Sequence, residues 1–257
     1  MLKKRHLWSP ILGLALLFIL PLGQAATDCA VVTEIPTVEC EALIAFYETV
    51  VWKVQKYLKK KSINDVLATV GIEAKQRLLP WFKAAKVPYP PPRLALLGLK
   101  AEKSLELWAE KDGTWTLIRD YPILAASGIL GPKLRQGDYQ VPEGIYKLNF
   151  LNPNSNFHLS MQIDYPNDYD RRQAAKEQRT NLGGDIFIHG NSVSIGCLAM
   201  GDEAIEELFV LVATVGLSNV KVILAPQKEM FDLSEPVHAW IPELYASIRQ
   251  ALSEFKR

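Results

Sequence analysis

Val87-Pro88-Tyr89-Pro90-Pro91-Pro92 constrains this chain more than any other stretch, because two incompatible periodicities meet there. Proline fixes its own φ and has no amide donor. Such a run continues neither a helix nor a central strand, and forms a stiff, extended linker. Upstream, apolar residues recur at helical spacing: Leu43, Ile44, Tyr47, Val50, Val51, Val54 and Leu58. Lys59-Lys60-Lys61 follows, where cations suit the negative end of a helix. Ser62 with Asp65 is an N-cap pattern opening a second helical stretch to about Ala85, with Gly71 and Pro80 as breaks. Residues 26–87 therefore read as a small helical region, with a domain boundary at the prolines.

Beyond the prolines the period changes to two. Leu105, Leu107 and Ala109 alternate with Ser104, Glu106, Trp108 and Glu110. Asp112-Gly113 is a hairpin turn, and Trp115-Thr116-Leu117-Ile118 is its return strand. More strands are expected over 145–150, 157–163, 185–189 and 220–224, with turn chemistry at Pro142-Glu143-Gly144. Residues 167–182 are polar and read as an exposed loop with a helical turn. A helix over Glu203–Val215, capped by Asp202, and a surface helix over Ile241–Phe255 complete the pattern. The expected fold class is α+β: a mixed, largely antiparallel sheet over 88–225, preceded by the small helical region and followed by a helical tail, 226–257, packing on it. Alternating βα units and a Gly-rich phosphate loop are both missing, which excludes a doubly wound nucleotide fold.

The 257 residues are 49% apolar and 22% charged, which excludes a disordered chain and a small disulfide scaffold. With 29 basic against 28 acidic residues there is no electrostatic footprint for nucleic acid. The start differs from the rest. Lys3, Lys4 and Arg5 precede an apolar run of 13 residues, Ile11 to Gly23, and Gly23-Gln24-Ala25 supplies small residues for cleavage. Residues 1–25 read as a secretory signal peptide, the run being short of the ~20 residues that span a bilayer. An uncleaved anchor is the competing reading, and only in that case is the segment the expected membrane contact. Cleavage after Ala25 removes three basic residues and no acidic one, leaving 26 against 28 and a net charge of −2. In an oxidising compartment Cys29 and Cys40 can pair, which leaves Cys197 as the odd thiol.

Residues 185–202 surround that thiol with chemistry. An apolar strand delivers His189, Gly190 ends it, and a short loop presents Ser194, Gly196 and Cys197 before a helix. Cysteine chemistry needs a thiolate, and a nearby imidazole can take the proton. Backbone N–H groups around Cys197 can hold the oxyanion of a tetrahedral intermediate, and Gly196 lets a carbonyl come close. An alternative is a small buried apolar residue. His158, His189 and His238 are too scattered for a zinc ligand set, so no metal and no cofactor is expected. His158 and His238 read as structural.

The run Ile188-His189-Gly190, Ser194-Ile195-Gly196-Cys197 and Asp202 resembles the active-site signature of L,D-transpeptidase catalytic domains, the YkuD family, and more narrowly its YafK-type branch. Leu105-Glu106-Leu107-Trp108, Gly131-Pro132-Lys133, Gln136-Gly137-Asp138, Pro142-Glu143-Gly144-Ile145-Tyr146 and Phe157-His158-Leu159-Ser160 are similar to that branch too. The resemblance covers roughly residues 93–225, about half the chain. It implies an exported, periplasmic enzyme of cell-wall biogenesis and cell shape. Its cysteine attacks a peptidoglycan stem-peptide carbonyl next to diaminopimelate and forms a thioester. Carried over, Cys197 is the nucleophile and His189 its general base, later an acid. Gly196 and the Cys197 backbone belong to the oxyanion site. Gly190 supports the loop. Ser194 orients the loop or His189, its plainer role being a turn hydroxyl on its own backbone. Asp202 is better explained as a helix cap than as an acid.

Two departures matter. Many members carry histidine before the Gly-Cys pair and arginine two residues after the cysteine; here these are Ile195 and Ala199. Arg93, Lys133 and Arg135 are the remaining candidates for a substrate carboxylate, although ordinary surface charge accounts for each. The departures match the YafK-type pattern, in which a hydrolytic amidase that releases a wall-linked lipoprotein or trims stem peptides is the alternative. A non-catalytic wall-binding module is the second alternative. A thiol–disulfide oxidoreductase lacks its Cys-x-x-Cys pair. An active Cys197 is expected to react with an alkylator faster than a model thiol.

Overall fold

The computed structural model describes residues 37–58, 60–194, 196–229 and 238–256. The signal segment 1–25, Cys29 with its expected partnership, and Ile195 lie outside them. The chain divides into two compact units, 1–60 and 61–257. The first holds helix α1, Thr37–Leu58, with the apolar repeat read above.

The second unit opens on α2, Ile63–Ala84, whose capping box is complete. The Ser62 hydroxyl accepts from the Asp65 N–H at 3.1 Å, and the Asp65 carboxylate accepts from the Ser62 N–H at 2.7 Å. Gly71 and Pro80 do not break this helix, which runs for 22 residues with Pro80 inside it. Its buried stripe, Val66, Ala74, Leu78 and Phe82, offsets the one hydrogen bond that proline removes. This stripe joins the main core. The division between compact units therefore falls before α2, at 60/61, and not at the prolines expected to mark it. Phe82 packs edge-on against Tyr89 of the proline run at 5.1 Å, so that run is bound to the core.

The strands are β1 (Leu94–Leu99), β2 (Ser104–Lys111), β3 (Thr114–Pro122), β4 (Ala125–Ala126), β5 (Gly144–Ser155), β6 (His158–Ile163), β7 (Phe187–His189), β8 (Leu198–Ala199) and β9 (Val220–Ala225). They form one curled sheet in the order β3-β2-β1-β9-β5-β6-β7-β8-β4. Neighbours are antiparallel except β1/β9 and β7/β8. Asp112 and Gly113 both take positive φ, 50° and 77°, as the tight β2–β3 hairpin demands. The first part of β5 pairs with β9 and the rest, through two register shifts, with β6. Such bulges bend a strand, so β5 turns the sheet between its two halves.

The helices are α3 (Asp168–Lys176), α4 (Asp202–Val215) and α5 (Ile241–Leu252), with a 3-10 turn at Leu217–Asn219. β1 is buried along its whole length. Leu94 and Leu96 join the core that contains α2 and α4. Ala95, Leu97 and Leu99 join the second core, where Leu244, Ile248, Leu252 and Phe255 of the tail cover Trp108. The tail thus forms a layer of the domain. Glu207, 1% exposed on α4, binds α2 and β3 together. It accepts from Arg77 Nε at 2.9 Å, Arg119 Nη1 at 2.5 Å and the Tyr121 hydroxyl at 2.8 Å. Glu207→Ala removes the acceptor of Arg119 and Tyr121, while Arg77 keeps Glu206 at 2.7 Å, and is expected to cost about 2–4 kcal/mol, read as a lower urea midpoint at unchanged m. A loss below about 1 kcal/mol would reduce the cluster to the worth of surface pairs.

Candidate active site

The parallel pair β7/β8 positions the thiol and the imidazole. Ile188 lies opposite Leu198 and His189 opposite Ala199. Cys197 is a free cysteine, partly exposed. It lies in the bend directly before β8 rather than directly before the helix, so the chain runs from the thiol into the strand that pairs with His189.

His189 is 1% exposed and its ring lies 4.6 Å from that of Phe157, tilted 31°. Its Nδ1 is 2.6 Å from the Gly190 carbonyl oxygen. A carbonyl only accepts, so Nδ1 carries the proton and Nε2 presents a lone pair. That Nε2 is buried without a hydrogen-bond partner among the described residues. Burial lowers the imidazole's pKa, against the opposing bond to Gly190, so the ring is neutral at neutral pH. Gly190 is required by space: a Cβ there would lie 2.6 Å from Asp202 Oδ1 and 2.7 Å from the Phe157 carbonyl oxygen.

The thiol makes no bond to Nε2 in this conformation. Its Sγ lies 3.7 Å from the Asp185 carbonyl oxygen, to which it donates. Burial pushes the thiol pKa up and nearby Asp185 adds to this, while the Phe187 N–H and Lys133 oppose. The resting pair is therefore a neutral thiol beside a neutral base, and not a preformed thiolate–imidazolium.

The loop before Cys197 is fixed by two hydroxyls. Ser194 Oγ accepts from the Cys197 N–H at 2.9 Å and donates to the Cys197 carbonyl at 2.6 Å. Its contacts are with that backbone, not with His189. The Gly196 N–H donates to Ser127 Oγ at 2.5 Å, and Ser127 Oγ donates to the Tyr139 carbonyl at 2.8 Å. The two N–H groups expected to form an oxyanion site are thus each held by a serine hydroxyl, and one hydroxyl must yield before either can serve. Gly196 takes φ 95°, which suits glycine. Asp202 is not the cap of α4: Gly201 occupies that position without a side-chain bond. The Asp202 carboxylate instead accepts from the Asn191 N–H at 2.7 Å and tethers the loop after His189.

Sequence reasoning missed Ser127, Phe157 and Asp185, because nothing local in a serine, phenylalanine or aspartate shows which loop the fold will bring beside it. Of the cations, Lys133 is buried and bonded to Asp138 and the Arg135 carbonyl, Arg93 pairs with Glu110 at 3.1 Å, and Arg135 is exposed. His158 and His238 pair with Glu206 and Glu177, each at 2.8 Å. Among the described residues no group of three or more His, Cys, Asp or Glu is arranged to hold a metal ion.

Fold and site together define an α+β domain with a tautomer-fixed histidine at the end of β7 and a free cysteine directly before β8. Residues 99–223 match the family model of the L,D-transpeptidase catalytic domain, YkuD. Two relatives named as proposed L,D-transpeptidases, YafK of Escherichia coli (strain K12) and of Escherichia coli O157:H7, are each 38% identical over 132 residues, 49% of this chain and 51% of theirs. The chain spans about half the length of these curated relatives. Among solved structures, the helical cell shape determining protein Pgp2 from Campylobacter jejuni is 18% identical, with a TM-score of 0.44 over 64% of this chain and 70% of that one. L,D-transpeptidase 1 of Mycobacterium tuberculosis is 13% identical, with a TM-score of 0.31 over 52% of this chain and 62% of that one. Among the described residues no helix is long and apolar enough to cross a membrane.

The raised thiol pKa points the other way from the expectation of fast alkylation. A raised pKa moves thiolate formation to higher pH, so iodoacetamide is expected to modify Cys197 more slowly than a model thiol at neutral pH. The rate is expected to keep climbing above the ordinary thiol value of about 8.5. A rate already level below about pH 7 would show a thiolate preformed by His189.

Proposed function

We propose that this chain is an exported cysteine acyltransferase of the L,D-transpeptidase type, acting on peptidoglycan stem peptides at the carbonyl next to diaminopimelate. The observation that carries the reading is the buried, bare Nε2 lone pair of His189 on β7, the strand beside the one that Cys197 leads into. The YkuD match over 99–223 and the names of the Escherichia coli relatives support it. The signal-like residues 1–25 support export to the periplasm.

The chemistry follows from the tautomer. Rotation of the Cys197 side chain away from the Asp185 carbonyl brings the thiol to Nε2, which takes its proton. The sulfur attacks the stem carbonyl, and the carbonyl pair moves onto oxygen. Collapse of the tetrahedral intermediate expels the leaving amine, which takes the proton from Nε2, and a thioester remains. An incoming amine then gives its proton to Nε2, attacks the thioester and releases the thiol. The Gly190 carbonyl keeps Nδ1 protonated throughout and stabilises the transient imidazolium. Water in place of the amine gives hydrolysis through the same thioester, the amidase alternative.

Cys197→Ala is expected to abolish turnover of purified wall fragments with its circular dichroism unchanged. His189→Ala is expected to slow turnover by about 10²–10⁴, as loss of a general base does. Mass spectrometry of the products gives the readout: new cross-links show transfer, and shortened stems or released protein show hydrolysis. Near-normal turnover by Cys197→Ala refutes the mechanism.

A further inference from the structure

A cleft of about 420 Å³ lies along the loop before β7, walled by Thr180, Asn181, Gly183, Gly184, Gln136 and Arg171. Gly184 directly precedes Asp185, whose carbonyl oxygen is the atom 3.7 Å from Cys197 Sγ. Adjacent Cα atoms are about 3.8 Å apart, so this wall begins within about 10 Å of the sulfur.

The wall is bare backbone. Residues 180–186 lie in neither helix nor strand. The N–H groups of Gly183 and Gly184 donate to no acceptor among the described residues. The segment is nevertheless held in place: the Tyr165 hydroxyl donates to the Leu182 carbonyl at 3.2 Å, and the Gln136 N–H to the Asn181 carbonyl at 3.0 Å. A Cβ added at Gly183 would run into Gln136, whereas one added at Gly184 would meet nothing within 4 Å. Gly184 therefore faces open space. On the rim, the Arg171 guanidinium has only a long contact of 3.9 Å to Asp168, which is itself 90% exposed.

Pinned but unpaired amides, open space and a loosely engaged guanidinium suit an extended peptide that ends or branches in a carboxylate. We propose that this cleft binds the carboxylate-bearing peptide whose carbonyl Cys197 attacks. The Gly183 and Gly184 amides pair with the peptide backbone, and Arg171 takes the carboxylate. This rests on the acyl-transfer reading above and adds to it the chemistry by which substrate is held. It also assigns the carboxylate to Arg171, which the sequence did not single out, in place of Arg93, Lys133 or Arg135.

The test is calorimetric titration of a synthetic stem tetrapeptide into Cys197→Ala protein, with and without a second substitution. Gly184→Val fills the cleft without a clash and is expected to weaken binding by about tenfold or more. Arg171→Gln is expected to weaken the free acid by about tenfold, and to leave the C-terminal amide of the same peptide within about twofold. In the otherwise wild-type enzyme, Gly184→Val is expected to raise KM while the pH profile of Cys197 alkylation stays in place. Binding within about twofold of the parent in both variants overturns the subsite, as does an absence of binding by the parent. Binding that responds to both variants, in a chain that never turns the peptide over, leaves the subsite standing and overturns the acyl-transfer reading alone.

Discussion

The double-sided burial of β1 is the constraint on which the rest depends. A strand with no solvated face needs a layer on each side. α2 and α4 supply one and α5 the other, through the cores on either side of Leu96 and Leu97. Gly98 shows how tight this is, since a Cβ there would meet Leu224 at 2.6 Å. Because β9 must lie parallel beside β1, the chain leaving β8 has to cross the sheet, and α4 is that crossing. The site thus hangs on the core at two points. β8 ends directly before α4, and β7 is held between β8 and β6.

From this follows the fixed placement of the His189 ring. The His189 backbone is bracketed by Ser160 on β6 and Ala199 on β8, so the ring has one direction of exit from the strand. Phe157 and the Gly190 carbonyl then fix its plane and its tautomer. Asp202, at the first turn of α4, carries the position of that helix to the loop after His189 through the Asn191 amide. Loop geometry is thereby set by an element whose side chains from Leu208 to Val212 are buried.

Much of this was legible in the sequence, and the gaps have physical causes. Alternation gave β2 and β3, and the Asp112-Gly113 turn gave their register. The Ser62–Asp65 box marked where α2 begins. β1 escaped, because Leu-Ala-Leu-Leu-Gly-Leu has no polar alternation when both faces are buried. Pro80 and the run at 88–92 misled for one reason: local backbone rules lose to the burial of Phe82, Leu78 and Tyr89 in a common core. At the site, Cys197 and His189 could be considered together because a single loop of seven residues lies between them. Ser127, 69 residues before Gly196, could not be, because loops placed side by side by tertiary packing leave no mark in spacing.

The hydroxyls on the Gly196 and Cys197 amides carry the last step. Buried N–H groups next to a reacting centre cannot stand empty without a desolvation cost of about 1–3 kcal/mol each. Ser127 and Ser194 remove that cost in the resting protein while no oxyanion is present. A neutral hydroxyl is a weak acceptor, with a net contribution of about 1 kcal/mol. A developing oxyanion in the same place gains about 2.7–4 kcal/mol from one donor. The exchange of hydroxyl for oxyanion is therefore downhill only once charge develops on the substrate. In the proposed reaction the same holds for the sulfur: its resting bond to the Asp185 carbonyl is that of a weak thiol donor, and the proton leaves for Nε2 when a carbonyl is at hand to receive the electron pair. On that reading a neutral thiol, two occupied amides and an orphaned lone pair together withhold the charge-separated state until substrate completes it.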